Sequence, residues 1–359
     1  MVLTGCRRQS PDLAGPMPIQ QRFASPEYAM HTSFWWQPDV AERNVAQVRQ
    51  MGFGWIKQTF AWRDVETLVK GRYDWYRPDL IVQTVEQAGL KLLVRLDRQP
   101  FWSQSSPDAP VDNGPPARAQ DFGDFCGALA ARYKGRIAAY QVWNEPNLAR
   151  EWGGQPPDPV AYTELLSACY QAIKSADPQA IVISAGLAPT GDQPPGAMPD
   201  ADYLRAMYAA GAADYFDVLG LNAPGFKAPP EMSSAQVART PELGGQPFFS
   251  FRHVEDMRQI MLSAGDGAKQ IAILEMGWTT DPLHPAYSWF AVDEQTQADY
   301  LVRAYQYAAK HWQPWIGLMT TIFIADSGWT PDNEQYWWAV VLPDGTPRPA
   351  YDALRAMPK

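Results

Sequence analysis

Short apolar runs alternate along this chain with longer stretches in which apolar positions recur at helical spacing. Eight of the runs predict strands, at 30–35, 55–60, 91–96, 137–143, 181–185, 216–221, 271–274 and 316–322. Each is followed by a predicted helix, at 40–51, 78–88, 117–133, 159–176, 201–210, 252–264, 294–311 and 349–357. The punctuation agrees. Asp158 is a natural N-cap before Pro159, and Gly89, Gly211 and Gly265 stand where helices should stop.

Strict strand-helix alternation implies a parallel sheet, and eight units favour closure into a (β/α)8 TIM barrel over an open sheet. The links from helix to strand are short, whereas the long links, 97–116, 186–200, 222–251, 276–293 and 323–348, all follow strands. In a barrel such loops emerge together at the C-terminal face, where active sites are built. No composition break divides the chain, so residues 23–359 read as one barrel domain and 1–22 as an N-terminal tail.

Composition narrows the function. With 46% hydrophobic and 19% charged residues the chain has the material for a large core. A net charge of -9 argues against nucleic-acid partners, whose phosphates call for clustered Lys and Arg. The 15 Trp and 16 Tyr, many in Pro- and Gly-rich stretches, suit a carbohydrate cleft, since an aromatic face can lie against a sugar ring. For any single ring, burial in the core is the competing explanation.

Three cysteines form neither a disulfide framework nor a zinc pattern. Cys126 and Cys169 lie among apolar residues of predicted helices and are expected to be buried thiols. Leu3-Thr4-Gly5-Cys6 has the form of a lipobox, with Cys6 as a possible lipid anchor, which would place the protein outside the cytoplasm. The apolar segment that should precede a lipobox is absent, so either the start is truncated or the match is chance and the protein is cytoplasmic.

Two carboxylates carry the strongest chemical signal. Gln141-Val142-Trp143-Asn144-Glu145-Pro146-Asn147 ends the fourth strand, and Ile271-Ala272-Ile273-Leu274-Glu275 ends the seventh. Both acids should therefore stand at the barrel rim. Glycoside hydrolysis needs one carboxyl to protonate the leaving oxygen and another to attack the anomeric carbon or activate water; in the retaining case they lie roughly 5 to 5.5 Å apart.

Trp143-Asn144-Glu145-Pro146-Asn147 and Leu274-Glu275-Met276-Gly277-Trp278 resemble the acid/base and nucleophile motifs of clan A retaining glycoside hydrolases, above all family 39 and related biofilm endoglycosidases. Trp62-Arg63-Asp64-Val65-Glu66, Gly71-Arg72-Tyr73-Asp74-Trp75 and the closing run 341–351 extend the resemblance over almost the whole chain. It implies Glu145 as general acid/base, Glu275 as nucleophile and Asn144 as donor to the sugar 2-hydroxyl. The chain also departs from the pattern. Lys57 stands where an Arg is common at the end of strand two, and Asn222-Ala223-Pro224-Gly225 replaces a His and Tyr after strand six. Phe323 and Ile324 end strand eight in place of a sugar-stacking Trp, a surface that Trp329, Trp337 or Trp338 could supply.

Further substrate-binding candidates are Trp62, Trp102 and Trp278, together with Trp35, Trp36, Trp152 and Trp289 as platforms and Asp97 and Asp326 as hydroxyl acceptors. The four histidines lack metal-ligand spacing, Gly52-Phe53-Gly54 lacks the third glycine of a dinucleotide loop, and residues 182–186 lack the first glycine of a nucleophile elbow. No metal and no cofactor are expected. The leading expectation is a retaining β-glycosidase acting on an oligo- or polysaccharide, with the long loops favouring endo action. The alternatives are an exo-acting β-xylosidase or α-L-arabinofuranosidase, and a carbohydrate-binding protein on a decayed barrel.

Overall fold

The computed structural model describes residues 18–105 and 111–359. Its eight parallel strands are β1 (Glu27–His31), β2 (Trp55–Ala61), β3 (Lys91–Asp97), β4 (Ala139–Val142), β5 (Ile181–Ile183), β6 (Val218–Asn222), β7 (Gln270–Met276) and β8 (Ile316–Thr321). They pair in sequence order, and Glu27 to Met30 of β1 pair with Leu318 to Thr321 of β8, which closes the barrel. The principal helix after each strand is α1 (Ala41–Gln50), α2 (Tyr76–Gln87), α3 (Ala119–Arg132), α4 (Pro159–Ala176), α5 (Asp200–Ala209), α6 (His253–Ser263), α7 (Glu294–His311) and α8 (Pro349–Ala356).

Alternation along the strands creates two cores. One face of each strand packs on the helices, with Ile56, Leu92, Val142 and Ile271 buried beside Val48, Phe125 and Leu165. The other face fills the barrel with Ala29, Trp55, Leu93, Ala139, Val218 and Leu318, and Phe23 plugs the N-terminal end edge-on against Trp55. Above this apolar layer the inward positions turn polar, beginning with Lys57 and Arg95, so the C-terminal mouth inherits the chemistry.

The expected helix starts hold within two residues. Asp158 caps α4 by accepting the N–H groups of Val160 and Ala161 at 3.0 Å each, and Gly89, Gly211 and Gly265 take positive φ at helix ends. β1 departs most from expectation. It lies earlier than 30–35 because Glu27 to Ala29 hold the seam with β8, while Thr32 to Trp36 already climb toward the mouth.

Cys126 and Cys169 are joined by a disulfide with their Cα atoms 5.4 Å apart, which corrects the expectation of free thiols. The cause is the close approach of α3 and α4. A Cβ on Gly123 would meet Ala168 O at 3.0 Å, and one on Gly127 would meet Ala172 Cβ at 3.2 Å. These two glycines bring the helices near enough for the thiols to meet. Residues 1–17, with the lipobox reading at Cys6, lie outside the described residues.

Candidate active site

Two local distortions aim the carboxylates. Between the register pairs Leu221↔Ile273 and Asn222↔Glu275, β7 carries one extra residue, a bulge that turns Glu275 into the barrel mouth directly after inward-facing Leu274. At the end of β4, Trp143 and Glu145 take left-handed φ values of 72° and 41°, a conformation costly for residues with a Cβ. Surrounding bonds hold it in place: Trp143 Nε1 donates to Glu151 O at 3.0 Å, and the Glu145 N–H donates to Gly186 O at 3.1 Å.

Cations from below clamp the Glu275 carboxylate. Lys57, fully buried, donates from Nζ to Glu275 Oε1 at 3.2 Å and to Leu274 O at 2.9 Å. Burial pulls its ammonium down to about 8, against the opposing pull of Glu275. Arg95 reaches the same oxygen with Nη1 at 3.4 Å and ion-pairs Asp97 through Nε at 2.9 Å. His31 Nδ1 lies 4.0 Å from Glu275 Oε1; burial and the adjacent Lys57 and Arg95 hold its pKa well below the usual imidazole range, so the ring is neutral.

Glu145 has the opposite environment. Burial first, and then the charge of Glu275, raise its pKa to about 7. Asn222 donates its Nδ2 to Glu145 Oε1 at 2.9 Å, and Arg150, largely exposed, donates to Oε2 at 3.2 Å. Asn144 accepts from Gln141 at 3.4 Å through Oδ1, which leaves its amide N–H groups to face the cleft it lines. One carboxyl is thus poised to hold a proton near neutrality, and the other is paired with cations, so the two differ sharply in environment.

The two carboxyls stand at the junction of a two-lobed cleft. A polar lobe of about 720 Å³ lies under the loops of β1, β2, β3 and β8, lined by Trp35, Trp36, Gln58, Arg98, Asp326 and Trp329 among others. A second lobe of about 470 Å³ lies under the loops of β5, β6 and β7. Glu145, Glu275, Arg150, Tyr287, Phe323 and Glu334 border both.

Not every candidate reaches this cleft. Trp62 is wholly buried and donates to Glu66 Oε2 at 2.6 Å, and half-buried Trp102 packs edge-on against it and donates to Glu66 O at 3.0 Å. Trp278 is buried against Gly225 and donates to Ala228 O at 3.0 Å; Trp152 is buried behind Trp143. Asp97 is sealed off beneath Arg95. These five are structural supports of the site wall, since large rings after a strand find more apolar contact behind the loops than in water. Lys57 sits near the start of β2, reaches Glu275 from beneath and leaves the mouth to Glu145, Asn144, Asn222, Trp35, Trp36, Trp289 and Trp329.

Sequence reading missed Arg95, His31, Arg150 and Tyr287. Arg95 carried a usable signal: a charge at an inward position of the apolar strand Lys91-Leu92-Leu93-Val94-Arg95-Leu96-Asp97 must find a buried partner. Its guanidinium adds a second cation beside Lys57, touching Glu275 through Nη1 alone while Asp97 holds its Nε. Among the described residues, no cluster of three or more His, Cys, Asp or Glu side chains is arranged to hold a metal ion.

No family model matches the chain, and no curated protein is similar to it in sequence. Solved structures do share its fold. A family 39 glycoside hydrolase from the gut symbiont Bacteroides cellulosilyticus WH2 matches with a TM-score of 0.68 at 20% identity, over 93% of this chain and 63% of that one. A glucosidase from Croceicoccus marinus matches with 0.63 at 12% identity, over 95% and 68%. The native xylanase 10B from Thermotoga maritima matches with 0.56 at 13% identity, over 93% and 94%. The chain spans under two thirds of the family 39 protein's length. The resemblance expected from the motifs is thereby borne out at the level of fold: this is a (β/α)8 barrel of the kind on which glycoside hydrolases are built.

Proposed function

We propose that the protein is a retaining β-glycoside hydrolase, with Glu145 as general acid/base and Glu275 as nucleophile. The observation that carries this reading is the electrostatic asymmetry of two carboxyls in one cleft: Glu145 raised to about 7 by burial and by Glu275, and Glu275 paired with buried Lys57 and Arg95. Protonated Glu145 gives its proton to the leaving oxygen while Glu275 attacks the anomeric carbon. Esterification removes the charge of Glu275, one of the causes that hold Glu145 high, so Glu145 falls back toward the ionised form and takes a proton from water. The motifs around both residues and the glycoside hydrolase folds of the solved neighbours support the same reading.

The sugar undergoing attack is assigned to the polar lobe, where Asn144 faces the cleft and Gln58, Arg98 and Asp326 offer hydrogen bonds to hydroxyls. The cleft continues past the carboxyl pair, so the substrate has a substantial leaving group. A site of action outside the cytosol is supported by the Cys126–Cys169 disulfide, a bond that persists in oxidising compartments.

The test is hydrolysis of a panel of aryl and alkyl β-glycosides by the wild type, Glu145→Gln and Glu275→Gln. The proposal expects turnover by the wild type that falls at least about a thousandfold in Glu275→Gln. Wild-type turnover that survives Glu275→Gln overturns it, and binding without any turnover favours the decayed barrel.

A further inference from the structure

We infer that the second lobe takes an apolar leaving group, an alkyl or aryl aglycone, in place of further sugar units; the inference rests on the glycosidase reading for which side departs. The lobe opens onto both carboxyls, and Asn222, which bonds Glu145, lies in its wall. With the sugar under attack in the polar lobe, its occupant is the group to which Glu145 gives its proton.

The lining is a continuous set of rings. Phe226 meets Phe249 at 4.7 Å and Phe290 at 5.1 Å between centroids, and Trp289 meets Phe249 and Phe290 at 5.0 Å each. All four contacts are edge-to-face. Edges set against faces in this way cover much of Phe226, Phe249 and Phe290 and leave Trp289 as the exposed ring of the lobe. The backbone is drawn in beneath them: Gly244, at φ +93°, allows so close an approach that a Cβ there would come within 3.0 Å of Trp289.

Hydrogen bonding points the same way. A sugar residue brings several hydroxyls, each of which needs a partner once it leaves water. Several polar groups in this wall are already engaged by the protein. Asn222 and Arg150 serve Glu145, Glu334 accepts Trp338 Nε1 at 2.8 Å, and Thr190 accepts the N–H of exposed Asp192 at 3.1 Å. The donors left are Tyr287 and the outer N–H groups of exposed Arg150, both at the junction of the lobes, the Trp289 indole N–H and the Thr190 hydroxyl. The polar lobe across the carboxyl pair, with Arg63, Arg98, Gln58, Asp64 and Asp326 in its wall, has the opposite character. One cleft thus joins a hydrogen-bonding half to a water-shedding half, a fit for a glycoconjugate with a sugar head and an apolar tail.

The experiment uses methyl to octyl β-glycosides of glucose, galactose, xylose and mannose, and the corresponding naphthyl glycosides, below their micellar concentrations. Turnover is measured on the wild type, and affinity by tryptophan fluorescence on Glu145→Gln. We expect kcat/KM and affinity to rise by up to about fourfold per methylene over the middle of the series, as apolar burial dictates, and the slope to flatten in Trp289→Gln and in Phe249→Ser. A naphthyl glycoside that outperforms the octyl one identifies an aryl aglycone, and the reverse an alkyl aglycone. Turnover without any chain-length gain in affinity overturns the apolar lobe and leaves the glycosidase standing, as does a slope unchanged in both variants. Chain-length gain in affinity with no wild-type turnover overturns the glycosidase and keeps an apolar site.

Discussion

Asn222 donates its side-chain amide to Glu145 Oε1 at 2.9 Å across the barrel mouth, and it does so in space left by Gly186. A Cβ on Gly186 would stand 2.2 Å from Asn222 Oδ1. Gly186→Ala is therefore expected to push Asn222 off Glu145 and to lower kcat/KM about tenfold or more, as misplacement of catalytic groups does. Asn222→Ala should lose a similar factor. Both remove a hydrogen bond that favours the ionised form, so the alkaline limb of the rate profile should move to higher pH. Wild-type kinetics and an unmoved limb in Gly186→Ala would contradict this geometry.

The pH dependence has a defined sign. Under the proposed assignment Glu145 must be protonated to act as acid, and its pKa is raised to about 7, so kcat/KM should fall about tenfold per unit as pH rises beyond that value. Arg150 lowers this pKa from the exposed side. In Arg150→Ala the limb should therefore shift upward, and the shift should shrink as added salt screens Arg150 in the wild type. A downward shift would show that Arg150 acts on another group.

Much of this was legible in sequence. Alternation of apolar runs with helical stretches, and long loops on one side only, identified the barrel and its working face. Glu145 and Glu275 stood out because each closes an apolar run. Illegible were features made by contact between distant elements. The bulge in β7 follows from pairing with β6, and the Cys126–Cys169 bond from glycines that let two helices close. Trp62, Trp278 and Trp152 look like platforms because a loop Trp reads the same whether it faces the cleft or packs behind it. Only the path of the loops over the mouth decides that.

The disulfide closes a sequence separation of 43 residues, for which chain entropy gives about 4 kcal/mol of stabilisation. The Cys126→Ser/Cys169→Ser protein is expected to melt on the order of 5 °C or more below the wild type. Reductant should lower the wild-type Tm and leave the variant unchanged. Alkylation of both thiols in unreduced, unfolded wild type would contradict the bond.

His253 joins α5 to α6, with Nε2 3.0 Å from Asp200 and Nδ1 3.0 Å from Asp256. Burial lowers the imidazole pKa, and the two carboxylate hydrogen bonds outweigh it and raise it to about 9. A raised folded pKa gives stability fully present below the ordinary value near 6.5 and lost as pH rises through about 9. At about 1.4 kcal/mol per unit the loss amounts to a few kcal/mol. Wild-type Tm should decline between pH 6.5 and 9 more steeply than that of His253→Gln. Parallel curves would remove His253 as the cause.

The most direct test of the catalytic assignment is the configuration of the product formed with azide. In Glu275→Ala, azide in the vacated space is expected to attack a β-glycoside carrying a good leaving group once, giving the inverted α-glycosyl azide. In Glu145→Ala it should replace water in the second displacement and give the β-azide, while the wild type releases its first product with retained configuration. If NMR of the initial wild-type product shows inversion, or if the two variants give the azides the other way round, the roles assigned to Glu145 and Glu275 are contradicted.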